Sequence, residues 1–126
     1  MPTIVHFEIP TDDLERSKKF YSELFGWKFE KYSFPEGKDY LIITTTDEQG
    51  NKSIGGGMMK RQNSEEQGMT NYIGVKSVDE HCAKIAPLGG KVVMPKKAVP
   101  GMGYFALCLD SENNSFGIWE TDPNAK

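Results

Sequence analysis

Two stretches set 64 residues apart decide how this chain folds: "DLERSKKFYSELFGWKFEK" (residues 13–31) and "SVDEHCAKIAPLGGKVVMP" (residues 77–95). Laid over one another, they put Leu14 on Val78, Tyr21 on Ile85, Leu24 on Leu88 and Gly26 on Gly90. Each reads as a helix running into a glycine stop and then a β-rich run. In the first copy Leu14, Ser17, Tyr21 and Leu24 recur on one helical face, while Glu15, Arg16, Lys18 and Lys19 decorate the other. Thr11 or Asp12 is placed to cap that helix.

Strand signals repeat around the helices. A short apolar strand precedes each, "IVHFEI" and "TNYIGV". Three follow the first helix, "WKFEKYS", "DYLIITTT" and "SIGGGMM", and three follow the second, "KVVMP", "YFALCLD" and "SFGIWE". The polar segment 61–68 separates the halves. The expectation is one α+β domain over 1–126: a tandem repeat of two βαβββ modules, 1–60 and 69–126, joined by that linker, with curved mixed sheets around a central cavity. "AVPGMGYF" (98–105) reads either as a lid or as a plain hairpin connection.

Bulk properties narrow the function. With 126 residues the chain can bury a core without staples. A net charge of −3 and no basic cluster argue against nucleic acid. No apolar run approaches the roughly 20 residues of a membrane span. "MPTIVHFEIP" has neither the basic nor the apolar region of a signal peptide, so a cytoplasmic location is expected. Cys82 and Cys108 sit in unrelated contexts, outside any CxxC, and read as free thiols. His81, beside acidic residues in "DEHCAKI", reads as solvated.

The chemistry-bearing residues begin in the first strand. Period-two geometry puts His6 and Glu8 on one face, opposite Val5, Phe7 and Ile9. An imidazole beside a carboxylate is half of a metal site, an acid–base pair or a polar rim, and the residues alone leave these open. No Ser/His/Asp or Cys/His nucleophile group is readable, and the Gly55–Gly57 run lacks the context of a phosphate loop.

The duplicated unit, with "RSKKFYSELFGW" (16–27) and "DSENNSFGIWE" (110–120), resembles the vicinal oxygen chelate superfamily, which includes glyoxalases, bleomycin-resistance proteins and extradiol dioxygenases. The resemblance implies two modules facing a cavity. In enzymes of that family a divalent metal is held by side chains from the first and last strand of each module and acts as a Lewis acid. His6 matches the first ligand position. The others fall on Thr70, on Gly117, and on Ile54 or Gly56, none a usable replacement donor. Glu120 lies three residues beyond Gly117, an odd step that points it to the opposite face of a regular strand.

The expected function is therefore a glyoxalase- or bleomycin-resistance-like protein that binds a small organic ligand between its modules without a catalytic metal. His6, Glu8, Gly56, Met58, Thr70, Tyr72, Gly117 and Trp119 are the expected contacts. The alternative is a glyoxalase-type lyase or isomerase, or a dioxygenase-like enzyme, holding zinc, nickel or iron through His6 and Glu120. A third reading is metal-free proton transfer by His6 and Glu8. Trp27 and Phe29 read as exposed aromatics suited to a homodimer.

Overall fold

The structure, a computed structural model, describes residues 1–34, 37–61 and 68–126. Apart from its two end residues, the linker expected over 61–68 lies outside the described residues. The element order is the expected duplicate. The first module runs β1 (Ile4–Thr11), α1 (Leu14–Phe25), β2 (Lys28–Ser33), β3 (Asp39–Thr44) and β4 (Gly55–Lys60). The second runs β5 (Thr70–Gly74), α2 (Val78–Ile85) with a 3-10 turn at Ala86–Leu88, β6 (Lys91–Val99), β7 (Gly103–Leu109) and β8 (Ser115–Thr121).

The chain forms two compact units, His6–Met69 and Thr70–Lys126, the latter joined by Met1–Val5. Those first five residues, assigned by sequence to the first module, are tied to the second by the Gly74 N–H, which donates to the Thr3 carbonyl (2.9 Å).

In the first unit the strand order is β2-β3-β4-β1, with β1 and β4 parallel and the other neighbours antiparallel. A parallel pair needs a crossover, and α1 leads it. Asp13 is the N-cap, its carboxylate accepting from the Arg16 N–H, which displaces the expected Thr11 or Asp12. Thr11 is still strand, its hydroxyl paired with Ser17, and Asp12 is turned to Arg61 (3.2 Å). Left-handed Gly26 ends the helix, its N–H donating to the Ser22 carbonyl.

Leu14 and Tyr21 pack on a core of Ile9, Leu41, Ile43 and Met58. Leu24, expected on the same face, is 59% exposed. Trp27, just past the glycine, folds back and stacks on Tyr21 (centroids 4.9 Å apart, planes 5° apart), filling that end of the helix–sheet contact. Trp27 and Phe29 thus pack against the core instead of standing exposed. The exposed apolar groups of α1 are Phe20, Leu24 and Phe25.

The second unit repeats the plan as β5-β8-β7-β6, with β5 and β8 parallel. Ser77 caps α2 by accepting from the Glu80 N–H. Val78, Ala106, Cys108 and Ile118 form its core, and Cys82 packs against them. Burial, and then Cys82, push the Cys108 thiol up to about 11. β6 continues past Pro95, where the sequence reading ended it. Register shifts between Val92 and Met94 and between Met94 and Lys97 absorb the proline on this outermost strand of its unit. Residues 98–105 form a hairpin, with Val99 opposite Gly103 and the Met102 N–H donating to the Val99 carbonyl. Among the described residues, no helix is long and apolar enough to cross a membrane.

Candidate functional site

Register decides which side chains meet. In the first unit His6 pairs with Gly55, Glu8 with Gly57, and Ile42 with Gly57, while Tyr40 pairs with Met59. Partners in a pair share a face and successive residues alternate. His6, Glu8, Tyr40, Ile42, Gly55 and Gly57 therefore lie on the face away from the α1 core. Phe7, Ile9, Leu41, Ile43, Gly56 and Met58 lie on the core side.

That corrects two expected contacts. Met58 is fully buried in the α1 core, and a Cβ on Gly56 would sit 2.4 Å from the Phe7 carbonyl oxygen and 2.8 Å from its ring. Neither lines the His6 face. The last-strand position, assigned from sequence to Ile54 or Gly56, belongs to Gly55 and Gly57. A triple-glycine run carries no alternation of its own, so its parity could not be read from sequence.

On the His6 face, Tyr40 reaches diagonally across the sheet. Its hydroxyl lies 2.9 Å from His6 Nε2 and donates to Glu8 Oε2 at 3.1 Å. Gly57 makes this possible: an added Cβ there would fall 1.6 Å from the Tyr40 oxygen. The three groups form one hydrogen-bonded chain, imidazole to phenol to carboxylate. Burial lowers the His6 pKa, favouring the neutral ring. Burial, then the Glu8 charge, then the hydrogen bond to Glu8 raise the Tyr40 pKa, so it remains a phenol. Tyr40 was missed by sequence. The alternation of Tyr40, Ile42 and Thr44 against Leu41 and Ile43 could have given its face but not its reach.

The second unit presents a different surface at the matching positions. Tyr72 pairs with Gly117 and Phe105 with Trp119. A Cβ on Gly117 would meet the Tyr72 ring at 2.3 Å, so this glycine admits an aromatic ring. Tyr72 is buried and meets Phe105 edge-to-face, with centroids 6.4 Å apart. Trp119 donates its indole N–H to Thr121 (2.9 Å) and lays its ring edge over Gly103. Thr70, the counterpart of His6, is half-buried at the start of β5.

Glu120 is on the α2 side. Its Oε1 accepts from the Val78 N–H (2.9 Å), stabilising the helix N-terminus. His81 is half-buried, its Nδ1 3.0 Å from the Ser77 carbonyl oxygen, where a solvated ring was expected.

The donor set does not suit the metal centre that the family resemblance implies. Among the described residues of the first unit, the side-chain donors on the His6 face are one imidazole and one carboxylate, bridged by a phenol that stays protonated. Gly55 and Gly57 supply nothing. In the second unit Thr70 offers one weak oxygen, Gly117 none, and Glu120 is spent on α2. A zinc, nickel or iron site takes about three protein donors. Among the described residues, no group of three or more His, Cys, Asp and Glu side chains is gathered.

A cavity of about 300 Å³ opens elsewhere in the first unit, where β1 turns into α1, with Thr11, Asp12, Arg16, Ser17, Tyr21 and Arg61 in its wall. It contains none of the expected contacts. Thr11 is bonded to Ser17, and Asp12 is paired with Arg61, so these groups serve the turn itself.

A family model described as bleomycin resistance protein-like N-terminal matches residues 3–45. CFP32 of Mycobacterium tuberculosis, whose name assigns it provisionally to the glyoxylases, is 27% identical over 119 residues, 91% of this chain and 44% of that protein. A glyoxylase-like domain-containing protein of Didymella fabae is 29% identical over 115 residues, 88% of each chain. The chain spans less than half the length of the first of these relatives. Among solved structures, a methylmalonyl-CoA epimerase in complex with methylmalonyl-CoA and NH4+ superposes with a TM-score of 0.72 at 17% identity, over 100% of this chain and 99% of that one. A Streptomyces coelicolor methylmalonyl-CoA epimerase variant in complex with 2-nitronate-propionyl-CoA gives 0.70 at 18%, over 94% and 96%. At these identities the likeness concerns the fold.

Proposed function

We propose that the chain is a member of the vicinal oxygen chelate superfamily, as the family-model match over residues 3–45 and the glyoxylase-like relatives support, and that it binds a small organic ligand without a catalytic metal, on the sheet face of the first module that carries His6, Tyr40 and Glu8. One observation carries this reading. A polar chain of three groups stands on a face where the last strand contributes Gly55 and Gly57, and the space at Gly57 admits the Tyr40 hydroxyl that joins them. Such a surface offers directed hydrogen bonds to a small polar molecule. The second module, by itself, presents the half-buried rings of Phe105 and Trp119. The solved neighbours hold small acyl-CoA compounds, which supports a small-molecule ligand.

The test has two arms. Thermal-shift screening of the purified protein against small aromatic and amphipathic compounds is expected to yield stabilising hits that weaken in His6→Ala. Titration with zinc, nickel or iron is expected to give no tight stoichiometric binding. A tightly held ion whose affinity drops in His6→Ala overturns the metal-free reading. A homodimer belongs to the same proposal, with exposed Phe20, Leu24 and Phe25 of α1 covered by a second copy. Sedimentation showing monomer alone at high concentration removes that part.

A further inference from the structure

We propose that the β2–β3 end of the first module's binding face is an aromatic wall of Tyr32, Phe34 and Tyr40 that selects ligands carrying a planar aromatic ring, with Phe34 as the residue that sets this preference.

Register builds the wall. Tyr32 pairs with Tyr40, so both rings rise from the face that carries His6 and Glu8. The ladder runs one step beyond β2. There the Phe34 N–H donates to the Lys38 carbonyl at 3.4 Å, which gives Phe34 the same parity as Tyr32. The Gly37 N–H closes the turn on the Phe34 carbonyl (2.9 Å), with Gly37 in the left-handed region (φ 79°). Phe34 stands nearly perpendicular to both tyrosines. Its centroid is 5.0 Å from that of Tyr32 with planes at 78°, and 5.4 Å from that of Tyr40 with planes at 80°. Edge-to-face contact at such distances is what the ring quadrupoles favour.

All three rings are half-buried, so the wall is fixed by its own contacts and still presents apolar surface. Tyr40 joins it to the polar end of the face: its ring packs on Phe34, and its hydroxyl reaches Glu8 and His6 on β1. A molecule lying along Tyr40 sets its ring against the wall and a polar substituent toward β1. An aromatic ring there gains quadrupole contacts in addition to buried area, whereas a saturated ring of the same size gains area alone. The choice of ligand class rests on the binding face proposed above, but Phe34 decides preference among ligands and not whether the face binds.

Matched probes test this: benzyl alcohol against cyclohexylmethanol, and phenylacetamide against cyclohexylacetamide. Each is titrated into labelled protein and followed at the amides of Tyr32, Phe34, Tyr40 and Gly57 in 1H–15N spectra. The native chain is expected to bind the aromatic member of each pair roughly two- to tenfold more tightly. Phe34→Leu, which keeps an apolar side chain, is expected to remove that preference while leaving affinity for the saturated member unchanged. If Phe34→Leu fails to fold, Tyr32→Leu, placed on a strand, decides in its stead with the same expectation. Binding at these amides without aromatic preference in the native chain overturns the inference and leaves the binding face standing. A preference that survives the substitution does the same. Probes that move none of these amides overturn both the wall and the face.

Discussion

The two modules share a frame and differ in what they build on it. Their N-caps, Asp13 and Ser77, lie 64 residues apart, and each accepts from the amide three residues on, Arg16 or Glu80. Their last hairpins turn on the same device. Asp47 accepts from the Gln49 and Asn51 amides, and Asp110 from the Glu112 and Asn114 amides. A left-handed residue stands at the corner of each, Gly50 in one and Asn113 in the other. Each last strand then places a glycine beside the second inner residue of its first strand, Gly57 beside Glu8 and Gly117 beside Tyr72. In the first module the opened space takes a hydroxyl that joins an acid to an imidazole. In the second it takes an aromatic ring. Caps and turns are dictated by the backbone and repeat. The inner face is constrained only by room, and there the halves diverge.

Substitutions at paired positions test that division, and the largest effects should come from the shared frame. Met58 and Ile118 hold equivalent places under α1 and α2, 0% and 3% exposed. Each change to alanine should cost about 2–5 kcal/mol in denaturant unfolding. If Met58→Ala weakened ligand binding while leaving stability intact, the face assignment of β4 would be wrong.

The paired glycines come next. Gly57→Ala and Gly117→Ala should each cost about 1–3 kcal/mol, because an aromatic side chain must be displaced. Only Gly57→Ala should displace the Tyr40 hydroxyl from His6 and shift the His6 ring resonances. Equal shifts in both variants would break the claim that the modules differ here.

The caps sharpen the comparison from the other side. Asp13→Ala and Ser77→Ala should each cost about 1 kcal/mol, with neither module favoured.

The smallest effect is a pH step belonging to the first module alone. Burial holds the folded-state pKa of His6 below 6.5. Between that lowered value and 6.5 the unfolded chain binds a proton that the folded chain does not. Stability is then full above about pH 6.5 and falls as the pH drops toward the lowered value. His6→Gln should flatten this step in unfolding curves measured across that range, and an unchanged step would assign it elsewhere.

Much of the frame was legible in the sequence. Helical spacing at Leu14 and Tyr21 and the glycine stops are local signals that repeat at a fixed offset. The face of His6 and Glu8 followed from alternation along β1, and the side of Glu120 from its odd step past Gly117. What could not be read depends on contacts between strands. The parity of Gly55–Gly57 is set by pairing with β1 and β3, so Gly56 and Met58 were placed on the wrong face. Tyr40 reaches His6 and Glu8 diagonally across 34 and 32 residues of chain, through a gap left by an absent side chain. Leu24 fitted the helical period, but Trp27 took its place in the core.

The most direct measurement is a 1H–15N titration of the labelled protein with a panel of small aromatic hydrogen-bond donors. Shifts should centre on His6, Glu8, Tyr40, Ile42 and Gly55–Gly57, and the response at these amides should shrink in Tyr40→Phe. Compounds that bind while leaving those amides still, and instead move Thr11, Arg16 and Arg61, would contradict a ligand face built on the His6–Tyr40–Glu8 chain.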